Sequence, residues 1–305
     1  MADTPPALVF DTTFVAETGR PVEVLPGVVR VTAPNAGPYT FTGTNSFILG
    51  RDSVAILDPG PADASHRAAL LAAVGGRKVE AILLTHTHKD HSALAASLRD
   101  ETGAPLWFAG PHRLSRKLRL FEVNTLAGAC DWDLEPDRTI VDGESFKAAG
   151  LALTAIATPG HCANHMCYAL AGTDWMFSGD HVMGWNSTLV AVPDGSMADY
   201  LASLGKLIAL PYAHYLPAHG GPIADANGYT RALLAHRELR NRQIADAVAQ
   251  GARRIDQLLD RIYPTLPAKL RMAAAMTLRA HVEYLDAQGI IRVRNGMVGP
   301  TLSPA

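Results

Sequence analysis

Short apolar runs alternate with amphipathic segments over the first 110 residues. "VEVLPGVVRVTA", "TNSFILG" and "SVAILDPG" have the length and β-branched content of strands, with turn signals at Pro26-Gly27 and at residues 50–52. Residues 63–74 predict a helix with Asp63 as its N-cap. "KVEAILLTH" predicts a buried strand, "SALAASLRDETG" a helix ending at Gly103, and "APLWFAG" another strand. This alternation is typical of sheets covered by helices.

Strand patterns resume after a polar segment at residues 111–138. "TIVDGESFKAAGLALTAIATPGH" predicts strands and turns, and "MCYALAGTDWMFSGDHV" predicts two strands joined by a turn at residues 172–174. Residues 197–210 form an amphipathic helical pattern, and "HYLPAHGGP" predicts a short strand that enters a Gly-rich loop. The polar segment itself lacks clean periodicity. It is either a solvated helix and loop or an insertion that overhangs a functional site.

The chain changes character after Ala226. Three helical patterns follow, and then "IIRVRNGMVG" predicts a hairpin with Asn295-Gly296 at its tip. Three helices followed by a hairpin indicate a winged-helix-like module. Residues 1–227 hold 15 Lys/Arg and 23 Asp/Glu, whereas residues 228–305 hold 12 and 6. We therefore predict an acidic domain at 1–227 and a basic winged-helix-like domain at 228–305.

Composition sets broad limits on the class of protein. The chain has 305 residues, of which 48% are hydrophobic and 18% charged, an ordinary globular balance. Its three cysteines do not make a disulfide framework and suit a reducing compartment. Its first residues have no signal-peptide pattern, and no apolar run approaches the length of a membrane span. We expect a cytoplasmic protein that does not partner with a membrane.

The segment "LLTHTHKDHSA" concentrates four candidate metal ligands behind a buried strand. His86 and His88 follow the strand, and Asp90 and His91 stand where the next helix begins. Buried imidazoles and carboxylates need partners, and a bound cation supplies one. Three further candidates stand at later strand ends, where an α/β scaffold brings distant residues together. They are His161 in "TPGH", Asp180 in "SGDH" and His219 in "PAHG".

Five imidazoles and two carboxylates exceed the four ligands of one tetrahedral zinc ion. They suit two ions about 3.5–4 Å apart that share a bridging group. Asp180 is the candidate carboxylate for reaching both ions. Zinc suits this His-rich set, although iron or manganese occupies similar sites.

"THTHKDH" resembles the T-H-x-H-x-D-H signature of the metallo-β-lactamase superfamily, and "GTNSFILG…AILDPGP" resembles its opening strands. The resemblance implies an α/β fold, a four-layer αββα sandwich with the metals at one edge. "HRELRNRQI" and the winged-helix-like tail are similar to the β-lactamase-like branch that includes a mitochondrial single-strand endoribonuclease and fungal thioesterases. The resemblance covers nearly the whole chain.

The family pattern also implies roles for the seven residues. His86, His88 and His161 would hold one Zn²⁺, and a second Zn²⁺ would be held by Asp90, His91 and His219, with Asp180 bridging. The nucleophile would be a hydroxide that bridges the metals, oriented by the catalytic residue Asp90. Because antibiotic-hydrolysing members usually lack the bridging aspartate, we expect little β-lactamase activity.

Several assignments stay open at the level of sequence. His165 and His181 are either supports for metal ligands or structural residues, and Trp185 either lines a substrate pocket or packs. The substrate is an ester, thioester or lactone, or alternatively single-stranded RNA. The basic tail binds nucleic acid, caps the site, or joins two copies as a homodimer. Candidate phosphate-binding side chains in the tail are Arg237, Arg240, Arg253, Arg254, Arg292 and Arg294.

Overall fold

A computed structural model describes residues 8–120, 122–296 and 299–305. The strands are β1 (Pro21–Leu25), β2 (Val28–Thr32), β3 (Asn45–Leu49), β4 (Val54–Leu57), β5 (Val79–Leu83), β6 (Leu106–Phe108), β7 (Arg138–Thr139), β8 (Ser145–Ala148), β9 (Leu151–Ala157), β10 (Met166–Leu170), β11 (Trp175–Gly179), β12 (His214–Pro217), β13 (Ile291–Gly296) and β14 (Gly299–Pro304). The helices are α1 (Ala64–Val74), α2 (Lys89–Ser92), α3 (Ala95–Thr102), α4 (Met197–Ile208), α5 (Ala226–Ala249), α6 (Ile255–Ile262) and α7 (Ala268–Ala287).

Two sheets form the centre of the larger unit. The first has the strand order β1-β2-β3-β4-β5-β6-β7, antiparallel from β1 to β4 and parallel from β4 to β7. The second has the order β12-β11-β10-β9-β8, with only the β11–β12 pair parallel. The β3–β4 hairpin and the β10–β11 hairpin confirm the two turns predicted between these strands.

Three apolar cores show how the layers stack. Phe47 of the first sheet and Phe177 of the second meet edge to face between the sheets, in a core that also buries Tyr168. A second core packs the outer face of the first sheet against α1 and α3, and a third packs the outer face of the second sheet against α4 and α5. The order helix, sheet, sheet, helix confirms the predicted four-layer αββα sandwich.

Local signals set the helix ends as predicted. The Asp63 carboxylate accepts a hydrogen bond from the backbone N–H of His66 at 2.8 Å, which caps α1. Gly103 closes α3 in the left-handed conformation with φ of 70°, which glycine adopts without a Cβ penalty.

The tail has a core of its own, built from α5, α6, α7 and the β13–β14 hairpin. Helix α5 serves two cores, since Leu233 packs against the second sheet's layer while Ile244 and Val248 pack in the tail. α5 therefore joins the two units. The hairpin is confirmed, but Asn295-Gly296 is not its tip, because these two residues belong to β13 and pair with Pro300 and Gly299 of β14.

The polar segment before β7 is irregular, with one 3-10 turn at Ala127–Ala129. Arg116 forms ion pairs with Glu122 of the same segment at 2.6 Å and with Glu283 of α7 at 2.6 Å. Thr125 Oγ1 donates to Met276 Sδ on α7 at 3.3 Å. These contacts bind the segment to the tail, so it is an insertion held by α7 and not a solvated helix. No helix among the described residues is long and apolar enough to cross a membrane.

Candidate metal centre

The predicted ligands stand at the ends of neighbouring strands. His86 and His88 follow β5, and the short helix α2 directly behind them carries Asp90 and His91. The later ligands follow β9, β11 and β12, which are adjacent or close in the second sheet. Because these strand ends meet at one edge of the sandwich, the fold brings all seven side chains together. The later ligands are His161, Asp180 and His219.

Three imidazole nitrogens form the first group of donors. His88 Nδ1 lies 3.1 Å from His86 Nε2 and 2.9 Å from His161 Nε2. All three side chains are buried. Ligands around a tetrahedral zinc ion at about 2.0–2.1 Å lie at comparable separations, so these three atoms can share one ion.

The second group contains Asp90, His91 and His219. Asp90 Oδ2 lies 3.4 Å from His91 Nε2 and 3.4 Å from His219 Nε2. Asp180 stands between the two groups: its Oδ2 is 3.6 Å from His161 Nε2 and 3.5 Å from His91 Nε2, and its Oδ1 is 3.3 Å from His219 Nε2. One carboxylate thus reaches donors of both groups, as a bridging ligand must.

The outer nitrogen of each ring in the first group has a hydrogen-bond acceptor. His88 Nε2 donates to Asp194 Oδ2 at 2.9 Å, and His161 Nδ1 donates to the Leu189 carbonyl at 2.7 Å. His86 Nδ1 lies 3.0 Å from Thr85 Oγ1. A neutral imidazole carries one proton, so a donating outer nitrogen leaves a lone pair on the inner nitrogen.

The second group is oriented in the same way. His91 Nδ1 donates to Asp58 Oδ2 at 3.2 Å, and His219 Nδ1 donates to the Gly43 carbonyl at 3.3 Å. The Thr85 hydroxyl donates to the same Asp58 oxygen at 2.7 Å, so it can accept from His86. When the rings are neutral, all five inner nitrogens therefore direct lone pairs into one small space.

Converging lone pairs repel one another unless a cation lies between them. The inner nitrogens of His91 and His219 and Oδ1 of Asp180 are buried without a hydrogen-bond partner among the described residues. A buried polar atom without a partner is costly, and metal coordination would satisfy all three. The residues present therefore fit two divalent cations.

The pKa values show the same demand for positive charge. Burial and the neighbouring rings of His91 and His88 hold the pKa of His86 well below its usual value, so the ring stays neutral. Burial alone would also lower the pKa of His219, but Asp180 and Asp90 raise it to about 9. The two carboxylates thus attract either a proton or a metal ion, and binding a metal must release that proton.

Three buried residues around the ligands escaped prediction from the sequence. Asp58 contacts His91 and Thr85, while Asp194 contacts His88 and also accepts from His112 Nε2 at 2.7 Å. Asp58 carries a signal, since it ends an apolar strand just before Pro-Gly and adopts a positive φ of 51°. Asp194 and His112 lie in loops whose local sequence gives no indication that these residues support a metal ligand.

The two uncertain histidines have different roles. His165 Nε2 accepts from the backbone N–H of Asp180 at 3.1 Å, and its Nδ1 donates to Thr158 Oγ1 at 2.8 Å. It therefore holds the backbone of the candidate bridging residue. His181 packs its ring against Tyr200, with centroids 4.6 Å apart, and burial lowers its pKa to about 3. It is a core residue.

A cavity of about 390 Å³ opens directly over the donors. Its floor contains His88, Asp90 and Asp180. Its walls come from the insertion, from α7 of the tail and from the segments 39–40 and 183–189. The wall side chains are mainly apolar, namely Leu126, Ala129, Met183, Leu189, Met272 and Met276.

Comparisons with known proteins agree with this fold. A profile described as "Metallo-beta-lactamase superfamily" matches residues 39–219, and one described as "Beta-lactamase associated winged helix domain" matches residues 255–296. The chain belongs to the metallo-β-lactamase superfamily, whose members are hydrolases.

Two named relatives span most of the chain. An "Atrochrysone carboxyl ACP thioesterase" of Aspergillus fumigatus is 31% identical over 266 residues, covering 81% of this chain and 77% of the relative. A "Beta-lactamase-like protein 2 homolog" of Caenorhabditis elegans is 26% identical over 278 residues, covering 89% of this chain and 88% of the relative. The crystal structure of a metallo-beta-lactamase family protein from Thermus thermophilus has a TM-score of 0.75 at 25% identity, covering 92% of this chain and all of that one.

Proposed function

We propose that this chain is a dinuclear zinc hydrolase that cleaves thioesters or esters with an apolar acyl group. The observation that carries the proposal is the apolar cavity above the seven converging donors. Burial of an acyl chain against Met272 and Met276 would stabilise binding by about 25 cal/mol per Å². The thioesterase named among the relatives supports the same substrate class.

The arrangement of cations favours this substrate over single-stranded RNA. Binding to RNA depends on a groove of cations that tracks successive phosphates. Lys89 is the only Lys or Arg among the cavity's described lining residues. Arg237, one of the predicted phosphate contacts, is 3% exposed and donates to the Thr188 carbonyl at 2.6 Å, which argues against its following an RNA backbone.

The chain's residues would divide the work as follows. One zinc ion would be held by His86, His88 and His161, and the other by Asp90, His91 and His219. Asp180 would bind both ions. Two such ions lower the pKa of a bound water to near neutrality and polarise a carbonyl oxygen. Asp90 faces the cavity, where its carboxylate can orient the attacking water. The apolar walls exclude competing water from the acyl group.

The test is a substrate screen of the zinc-loaded protein with S-hexanoyl thioester, hexanoyl ester, a lactone and single-stranded RNA. We expect hydrolysis of the thioester and no cleavage of the RNA. Asp90→Asn should lower kcat by about 100-fold or more, because it removes a positioned catalytic carboxylate. Asp174→Asn is the matched control, since Asp174 lies in the exposed β10–β11 turn and its one ion pair among the described residues is with His214.

Metal content by mass spectrometry accompanies each assay. Two equivalents of zinc are expected in the active protein. RNA cleavage with no thioester turnover would refute the proposed substrate class, and a fully active protein holding iron or manganese would refute zinc.

A further inference from the structure

A second cavity of about 220 Å³ adjoins the first. The two share the lining residues Tyr39, Met183, Thr188 and Leu189. The second cavity lies between the catalytic unit and the tail, since Trp185 lines it from one side while Arg240 of α5 and Tyr263 line it from the other. A molecule held over the metal donors could therefore extend a group into it.

The charge in this cavity is unbalanced. Arg237 and Arg240 both line it, His236 lies beside them, and no Asp or Glu is among its described lining residues. The Nε atoms of both arginines are buried without a hydrogen-bond partner among the described residues. Arg237 is buried and Arg240 is half-buried. Guanidinium groups withdrawn from water are ordinarily paired with an acid.

The two arginines differ in what already occupies them. Arg237 is tied to the Thr188 carbonyl. The Arg240 guanidinium lies 4.3 Å from the centroid of the Tyr263 ring, and its Nη1 donates to Gln243 Oε1 at 2.6 Å. These neutral contacts hold Arg240 in place without neutralising it. Partial burial and the charge of Arg237 both lower the pKa of Arg240, against the opposing effect of Tyr263.

We propose that Arg240 in this second cavity binds an anionic group of the substrate, a carboxylate or phosphate distant from the scissile bond. The proposal deepens the proposed hydrolase function and rests on it. The substrate is then amphiphilic: an apolar portion fills the cavity over the metals, and a charged end reaches between the two units. The anion could belong to the acyl half or to the thiol half of a thioester.

The kinetic test compares substrates that differ only in that charge. S-glutaryl and S-pentanoyl thioesters vary the acyl half, and S-hexanoyl thioesters of 6-mercaptohexanoate and 6-mercaptohexanol vary the thiol half. We expect Arg240→Gln to raise KM about tenfold for the anionic member of one pair, with kcat unchanged, since a charge-assisted hydrogen bond remote from the reaction is lost. The neutral members should be unaffected. Arg242→Gln, an exposed arginine on the same helix, is the matched control.

Direct binding separates this proposal from the catalytic one. Calorimetric titration of the holoenzyme with glutarate, and with neutral glutaramide, needs no turnover. Arg240→Gln should weaken glutarate binding about tenfold relative to Arg242→Gln. Equal glutarate binding in the two variants would overturn the proposal even if thioesters are hydrolysed. An equal rise in KM for charged and neutral substrates would also overturn it, because it would show that Arg240 only supports packing.

Discussion

Replacing Asp194 by Asn should weaken one metal site and spare the other. The buried carboxylate accepts from His88 Nε2 at 2.9 Å and from His112 Nε2 at 2.7 Å. Burial alone would raise the pKa of Asp194, but these two hydrogen bonds hold that pKa well below its usual value. An amide of the same shape accepts through one atom only and has no charge. If its nitrogen faces His88, the ring must move its proton to Nδ1, the atom that points to the metal.

Loss of such a supporting carboxylate typically costs about 10–100-fold in metal affinity, and we expect a loss in this range. Because tenfold corresponds to 1.36 kcal/mol, the loss is about 1.4–2.7 kcal/mol. A competition titration with a chromophoric zinc chelator resolves the two equivalents. Only the equivalent assigned to His86, His88 and His161 should weaken. The control is Asp131→Asn, because Asp131 accepts from the Ser92 hydroxyl at 3.2 Å and contacts no metal donor.

Asp58→Asn supplies the complementary half of the experiment. Asp58 accepts directly from His91 but reaches His86 only through the Thr85 hydroxyl, so its replacement should weaken mainly the equivalent that Asp194→Asn leaves intact. Two variants that weaken the same equivalent, or that weaken both equally, would refute the assignment of ligands to separate ions.

Three further predictions address the cavity, the insertion and the strand-end loop. Met276→Glu places a charge in the apolar wall and should raise KM for S-hexanoyl thioester at least about tenfold in steady-state assays. The hydrogen bond from Arg116 lowers the pKa of Glu122 from 4.5 to about 2. The ion pair therefore stabilises the fold above pH 4.5, and this stabilisation is lost as the pH falls towards 2. In urea unfolding, Glu122→Gln should be less stable than wild type at pH 7 and equally stable near pH 2. Gly160 has φ of 142°, and a Cβ added there would overlap the α4 backbone. Gly160→Ala should therefore lower the free energy of unfolding by more than about 2 kcal/mol, measured with denaturant. Gly172→Ala, in an open turn, should lower it by less.

The sequence predicted best what is local. "THTHKDH" lies on one strand end and one helix start, so the spacing alone shows that His86, His88 and Asp90 are neighbours. Alternating apolar runs predicted sheets covered by helices, whereas the αββα order came from the resemblance to the superfamily. The later ligands were predicted from their places at strand ends. Their assignment to two ions stays a prediction that the geometry fits.

Long-range contacts could not be predicted from the sequence. Asp194 supports His88 across 106 positions of chain, and nothing in "VPDG" indicates that partner. Arg237 looked like a surface cation because helix α5 is rich in Arg, yet the helix crosses from one core to another and buries it. Hydrophobic periodicity does not show which residues of such a helix are buried when it packs in two cores.

The backbone at residues 188–189 gives the tail influence over the chemistry. Arg237 of α5 donates a hydrogen bond to the carbonyl of Thr188. The next carbonyl, that of Leu189, accepts from His161 and orients its ring. Truncation at residue 227 would remove the hydrogen bond from Arg237 and also Met272 and Met276 of the cavity wall. Exchanging the tail for an unrelated domain would therefore alter both the support of His161 and the shape of the cavity.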